Sequence, residues 1–356
     1  YSTVICNALM HHFKVTEGEI EAFINIISEE SELIECFLPL INLEEDAINS
    51  KNLVVLTEIL ENGSVEVYNL EHRASFLNQN LQEVTNRLRQ QNLMNKKSLI
   101  SRYYGGIYFS YRQAAYIDII LENIGKNVAP ENRDLYLAAL LSTASDMADT
   151  VGKHFAQPVK DKTINVVDLY KDWLLRYFNL ERSNNSFTCF QGDYMDCLRN
   201  LPSSVKTVYA DPPYTRDHYS RFYHVLETIT LRDSPQLSTT NIHGDCHVSN
   251  GVYRKDRYQS PFCIKSQAPG AFKAMFDVVA KSGRNLLLSY SPYDTTKKTH
   301  PRVVTMEQLQ NWAKDYFAYV ELVSAGAFKH NKLNSTEHFL DASDEAEVLI
   351  VCTNQH

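Results

Sequence analysis

Four consecutive residues, Asp211-Pro212-Pro213-Tyr214, set a carboxylate, two prolines and an aromatic ring directly after the apolar run "VKTVYA" at 205–210. Proline has no N–H and cannot extend a strand ladder. It also restrains the residue before it, so the bend is stiff. In open α/β sheets, ligands bind beyond the carboxyl ends of the strands, the position this bend occupies. The Asp211 carboxylate and the Pro212 carbonyl then form two fixed acceptors beside the flat surface of Tyr214. That set suits an aromatic amine such as the amino group of a nucleobase. Accepting both N–H bonds localises the nitrogen lone pair and aims it at an electrophile, while the aromatic holds the ring plane. Preorganised acceptors at a site of developing charge lower a barrier. Positioning of two bound reactants contributes roughly 7–11 kcal/mol in ideal cases. The plainer reading of the same residues is a strand-ending Asp-Pro turn.

The elements that must position this bend are visible in the second half of the chain. Short apolar runs read as strands at 187–190, 205–210, 285–290, 318–323 and 347–352, with helical stretches at 269–281 and 306–316 between them. Strands alternating with helices predict an α/β domain with a mainly parallel sheet. The first half reads as helical. Residues 15–62 are acidic, with Ile20, Phe23, Ile24 and Ile27 at helical spacing. A helix is expected over about 70–94, where Leu77, Leu81, Val84 and Leu88 share a face, and another over 131–150, with Gly152 at its end. Between them the charge reverses. Arg87, Arg89, Lys96, Lys97, Arg102 and Arg112 interleave with Tyr103, Tyr104, Tyr108, Phe109 and Tyr111 around Gly105-Gly106. Cations among aromatics suit a phosphate track with stacking contacts, and Arg254, Lys255 and Arg257 form a second such cluster.

Composition bounds the rest. The chain has 356 residues, 44% of them hydrophobic, and a net charge of −8. That charge argues against a polyanion partner unless cations are concentrated locally. Seven scattered cysteines are expected as reduced thiols in a cytoplasmic compartment, with Cys6, Cys189 and Cys352 in the core. No apolar run reaches the ~18 residues of a membrane span, and the N-terminus shows no signal-peptide pattern. "HGDCH" at 243–247 lacks a second cluster of ligands, so no metal site is expected.

Asp211-Pro212-Pro213-Tyr214 resembles the catalytic motif of the DNA adenine N6-specific methyltransferases that use S-adenosylmethionine. The likeness covers most of the chain. "FQGDYMDCLRNL" (190–201) is similar to that family's acidic motif before the catalytic strand, "NLLLSYS" (285–291) to the next strand, and "AEVLIVC" (346–352) to its closing strand. "YSTVICNALM" (1–10) resembles the helix after its second cofactor motif. The order matches the arrangement with cofactor motif first, recognition insert next and catalytic motif last. The resemblance implies a Rossmann-like methyltransferase sheet with helices on both faces and a mainly helical insert. Residues 1–14 would belong to the core, 15–180 to the target-recognition insert and 181–356 to the catalytic core.

The resemblance also implies roles. Asp211, Pro212, Pro213 and Tyr214 would be catalytic, and Asp193, Tyr194 and Asp211 would hold S-adenosylmethionine. Tyr219, Phe222, Ser289 and Tyr290 would wall the base pocket. DNA would meet Arg102, Tyr104, Arg112, Arg216, Arg254, Lys255 and Arg257, with Arg221 a further candidate for phosphate. The target base must leave the duplex, at a few kcal/mol, and stacking on an aromatic returns roughly 1–3 kcal/mol. Members acting on cytosine N4 usually carry Ser where Asp211 stands, which favours adenine over cytosine; adenine in RNA is the other alternative. The family's Phe-x-Gly-x-Gly cofactor loop has no match here. It is expected upstream of Tyr1 or on a second polypeptide, or else it is lost and the chain is a non-catalytic DNA-binding relative.

Overall fold

A computed structural model describes residues 1–29, 31–148, 163–242, 244–291, 302–324 and 348–354. Gly152 and residues 292–301 and 325–347 lie outside the described residues. The chain forms two compact units. One comprises Tyr1–Cys189 and Arg221–Arg257, the other Phe190–Ser220 and Tyr258–His356. No helix among the described residues is long and apolar enough to cross a membrane.

The first unit is built from α1 (Ser2–Met10), α2 (Glu17–Ile27), α3 (Glu32–Asn49), α4 (Leu53–Asn62), α5 (Val65–Glu71), α6 (Asn78–Gln90), α7 (Leu99–Tyr104), α8 (Tyr111–Asn127), α9 (Arg133–Met147) and α10 (Val166–Phe178). Local chemistry starts several of these helices. Capping boxes Thr16/Glu19 and Ser110/Gln113 open α2 and α8, and Ser31, Asn52, Ser64 and Asn165 cap α3, α4, α5 and α10. Leu77, Leu81, Val84 and Leu88 are all buried, as their spacing predicts, although α6 begins only after His72 ends α5 at φ 46°. After the single turn α12 (Tyr219–Phe222), the unit is completed by α13 (His224–Leu231) and a hairpin of β2 (Thr239–Ile242) and β3 (Asp245–Val248). The sequence gives little warning of that hairpin, because its strands are mostly polar.

Residues 1–14 belong with the helices rather than with the sheet. Asn7 donates to Asp134 at 2.6 Å, and the Arg182 guanidinium reaches the Ala8 carbonyl at 2.8 Å. The aromatic residues of the cationic segment are core as well, whereas Arg89, Lys96 and Lys97 are exposed. Every residue of α7 is buried. Asp118 of α8 accepts from the N–H groups of Ile100 (3.0 Å) and Ser101 (2.8 Å) and from the Ser101 hydroxyl (2.6 Å), which anchors the first turn of α7. Gly106 then turns the chain at φ 79°, where a Cβ would meet the Tyr111 hydroxyl at 2.8 Å.

The second unit holds α11 (Tyr194–Arg199), β1 (Thr207–Ala210), α14 (Ala268–Lys281), β4 (Asn285–Tyr290), α15 (Met306–Lys314), β5 (Tyr319–Ser324) and β6 (Val348–Thr353). The sheet order is β1-β4-β6-β5. β1 and β4 are parallel, whereas β6 runs antiparallel to both β4 and β5. The sheet is therefore mixed, not mainly parallel; an alternating apolar run reads the same in either direction. The predicted run at 187–190 forms no strand. Val208, Ala210, Leu286, Leu288, Tyr290, Ile350 and Cys352 fall on one sheet face and join the core with Phe272 and Phe276 of α14 and Leu309 of α15. Cys352 is buried; Cys6 and Cys189 are only half-buried. On the opposite face of β1, Tyr209 is 60% exposed.

Candidate active site

β1 delivers Ala210 into the bend. Asp211 is exposed, Pro212 buried, and Pro213 and Tyr214 half-buried. The backbone beyond the prolines is clamped by residues about ninety positions later in the chain. Val303 donates its N–H to the Tyr214 carbonyl at 3.1 Å, and Thr215 pairs with Arg302 in an antiparallel bridge. The Tyr214 ring is clamped too. The Arg302 guanidinium carbon lies 4.4 Å from its centroid, and the Tyr290 ring meets it edge-on at 5.8 Å and 69°. Arg302 is itself fixed by the Ser291 hydroxyl at 2.6 Å, at the end of β4. The Tyr290 phenol donates to the Val304 carbonyl at 2.9 Å, and burial pushes its pKa up to about 12, so it stays neutral at physiological pH. The expected pocket residues Ser289 and Tyr290 are both buried, and Tyr290 packs against Tyr214.

On the β1 side, Asp211, Pro212 and Pro213 line a cavity of about 920 Å³. Its other walls are Gln191, Gly192, Asp193 and Tyr194 entering α11, the strand residues 207–210, and Tyr258, Ser260, Phe262 and Met275. Asp193 is the N-cap of α11. Its Oδ1 accepts from the Met195 N–H at 2.9 Å, which uses one of its two carboxylate oxygens. Tyr194 packs on Phe262 with centroids 5.1 Å apart, and burial raises the pKa of its phenol. The cavity has the size of a small-molecule site. A carboxylate beside aromatic and apolar walls fits an adenosyl group, whose purine is flat and whose amino group donates.

Tyr219 joins the cluster around the bend. Its phenol bonds Thr215, and burial raises its pKa to about 12. Phe222, expected in the same pocket, belongs to the first unit and is half-buried.

The residues expected on DNA divide sharply. Arg102 is only 6% exposed, paired with Glu66 and bonded to Ser98, and Tyr104 is fully buried with its hydroxyl 3.0 Å from Thr228. Arg254 is 8% exposed, forked onto Asp233 and bonded to Thr228 at 3.2 Å. These three hold the helical core together and present no charge to a polyanion, which corrects the expectation placed on them. Arg112 is half-exposed but engaged by Glu45 at 2.6 Å. Arg216 and Lys255 are exposed, and Arg257 lies half-buried against the Tyr253 ring. The sequence reading overlooked Arg302, Tyr258, Ser260 and Phe262. Arg302 is brought in by a long-range backbone pairing that no local pattern announces. Tyr258, Ser260 and Phe262 could have been sought in the aromatic stretch that follows the Arg254–Arg257 cluster.

Comparison with known proteins agrees with this geometry. Residues 48–300, more than two thirds of the chain, match the family described as D12 class N6 adenine-specific DNA methyltransferase. The chain is 27% identical over 189 residues to the type II methyltransferase M.FokI of Planomicrobium okeanokoites (52% of this chain, 27% of that protein). It is 32% identical over 162 residues to the modification methylase LlaI of Lactococcus lactis subsp. lactis (44% and 22%). It is 28% identical over 189 residues to the type II methyltransferase M.CviAII of Paramecium bursaria Chlorella virus 1 (52% and 51%). The matched stretch thus spans between about a fifth and a half of the length of these relatives. No solved structure matches the chain. With the motif and its cavity in place and the match running through both, the chain belongs to the D12 class of N6 adenine-specific DNA methyltransferases.

Proposed function

We propose that the protein methylates the N6 amino group of adenine in DNA at specific sites, by flipping the base and transferring the methyl directly, as the modification partner in a restriction-modification pair. The observation that carries this reading is the placement of Asp211-Pro212-Pro213 on the wall of the cavity with Tyr214 held rigidly beside it. The Asp211 carboxylate and the Pro212 carbonyl accept the two N–H bonds of the amino group, and Tyr214 stacks on the extruded base. S-adenosylmethionine, when bound, supplies the methyl group as an electrophile. Asp193, Tyr194 and Asp211 are the residues that would hold it, and Phe262 supports the Tyr194 ring. Residues 15–180 serve target recognition, and Arg216, Lys255 and Arg257 meet the DNA backbone.

The test is transfer of labelled methyl from S-adenosylmethionine to DNA, followed by digestion and mass analysis of the bases. N6-methyladenine is expected, and Asp211→Ala should lower the rate by about a hundredfold or more. An unchanged rate in that variant removes Asp211 from the chemistry, and N4-methylcytosine or methylated RNA would redirect the substrate assignment.

A second reading is favoured by one feature. Among the described residues β1 pairs only with β4, and its outer edge is bare beside an exposed Tyr209. A further polypeptide segment, carrying the glycine-rich cofactor motif, would seat there. Calorimetry separates the readings: S-adenosylmethionine binding by this chain alone supports the first, and binding restored only by a second polypeptide supports the other.

A further inference from the structure

Several arginines of the helical unit have their charge matched by a carboxylate. Arg102 faces Glu66, Arg112 faces Glu45, Arg232 faces Glu122 and Arg254 faces Asp233. Arg182, which lacks a carboxylate, donates to the carbonyls of Ala8 and Tyr177. Arg221 and Arg257 break this pattern. Both lie against one aromatic ring, with guanidinium carbons 5.7 and 5.6 Å from the Tyr253 centroid. Among the described residues neither is paired with a carboxylate. The Nη1 of Arg257 is buried and has no hydrogen-bond partner. Burial and the charge of Arg221 together lower the Arg257 pKa, so the two cations repel each other.

Among the described residues no carboxylate balances these two charges. Two like charges on one ring, one with an inward-facing donor left over, are unfavourable in the isolated protein. An anion with at least two acceptor oxygens relieves both defects at once. Guanidinium groups match the oxygens of a phosphate in planar, forked geometry, and an aromatic ring beneath them holds the fork in place. Arg221 follows Tyr214 by seven residues in the chain, and Arg257 directly precedes Tyr258, a wall of the cavity.

We propose that Arg221, Tyr253 and Arg257 form a preset clamp for a phosphodiester of the DNA backbone. This rests on the assignment of DNA as substrate and adds to it a specific, sequence-independent anchor. Its energy comes from charge that the fold leaves uncompensated until DNA arrives.

The test uses the full chain and fluorescence anisotropy with labelled duplexes of unrelated sequence across a salt series. Arg221→Gln and Arg257→Gln should each weaken binding to all sequences alike and reduce the log–log salt slope by about one. Arg257→Lys should restore the slope. Both Gln variants should melt at the wild-type temperature or above it, because repulsion is relieved; a purely structural arginine would lower the midpoint. A scan of single neutral methylphosphonate linkages should find a position where the wild type loses affinity and Arg257→Gln loses nothing further. Unchanged slopes in both Gln variants, or losses accompanied by a lowered melting point that Arg257→Lys does not repair, overturn the clamp. A wild type that binds DNA but does not methylate it would sink the catalytic reading and leave this one standing. A wild type that methylates DNA while both variants keep the full slope would sink the clamp alone.

Discussion

Tyr214, proposed to stack on the target base, illustrates how much support one ring draws from elsewhere in the sequence. Its carbonyl is held by Val303, its face by Arg302 and its edge by Tyr290. A cation over a ring is worth roughly 0.5–2 kcal/mol. Arg302→Met is therefore expected to reduce kcat by about tenfold with the KM for cofactor unchanged, and Arg302→Lys to recover part of the loss; steady-state kinetics with both substrates varied checks this. The buried His224 supports a pH prediction. Burial drives its pKa from 6.5 down to about 3, so it is folded in as a neutral ring. The unfolded chain takes up a proton below pH 6.5 that the folded one refuses. The stability His224 permits at neutral pH is thus lost as pH falls from 6.5 toward 3, at about 1.4 kcal/mol per unit. Urea unfolding of wild type and His224→Phe should show a stability difference that grows in the variant's favour by that amount below pH 6.5 and is constant above it. At this scale the sequence was legible where chemistry is local: Asp211 to Tyr214 follow β1 directly, as the apolar run predicts, whereas Asp193 follows no strand and caps α11 instead. The sequence was opaque for Arg102 and Arg254, because their partners Glu66 and Asp233 lie 36 and 21 residues away. Composition cannot distinguish an arginine that faces phosphate from one that faces a carboxylate.

At the scale of elements, hydrophobic periodicity predicted what burial enforces. α6, α14, α15, β1 and β6 fall on predicted segments with one buried face, while α9 is buried nearly all round and β5 is largely exposed. Strand direction and partner choice are not encoded in that periodicity, so the reversed β6 and the polar β2–β3 hairpin escaped the reading. The short helix α7 is a different case. With six residues it is too short to persist by propensity, and it exists because the Asp118 carboxylate satisfies two of its N–H groups and one hydroxyl. Asp118→Ala removes all three bonds at once and should destabilise the protein by about 3 kcal/mol. Chemical denaturation read by far-UV circular dichroism measures it, and a change below the error of the method would show that packing alone holds α7.

For the molecule as a whole, a net charge of −8 and the proposed DNA substrate are reconciled by where the cations are spent. Ion pairs inside the helical unit engage several arginines, and the cations proposed to meet DNA are four: Arg216, Arg221, Lys255 and Arg257. At roughly 0.9 per neutralised phosphate, four such groups predict a log–log salt slope of only about −3 to −4. A much steeper slope, measured by anisotropy or filter binding, would mean that a larger basic surface contributes. Such a shallow dependence would keep non-specific binding weak and leave discrimination among sites to contacts with the bases.

The paired prolines after β1 have an effect separate from catalysis. Open strand margins invite zippering with stray chains, and each added rung of hydrogen bonds lengthens the unwanted seam. Pro212 and Pro213 offer no hydrogen to such a seam, so any strand captured along β1 runs out of rungs where the reactive bend begins. The dipeptide proposed to aim the acceptors therefore also acts as a terminus for misassembly, and keeps the mouth of the cavity from being sewn shut.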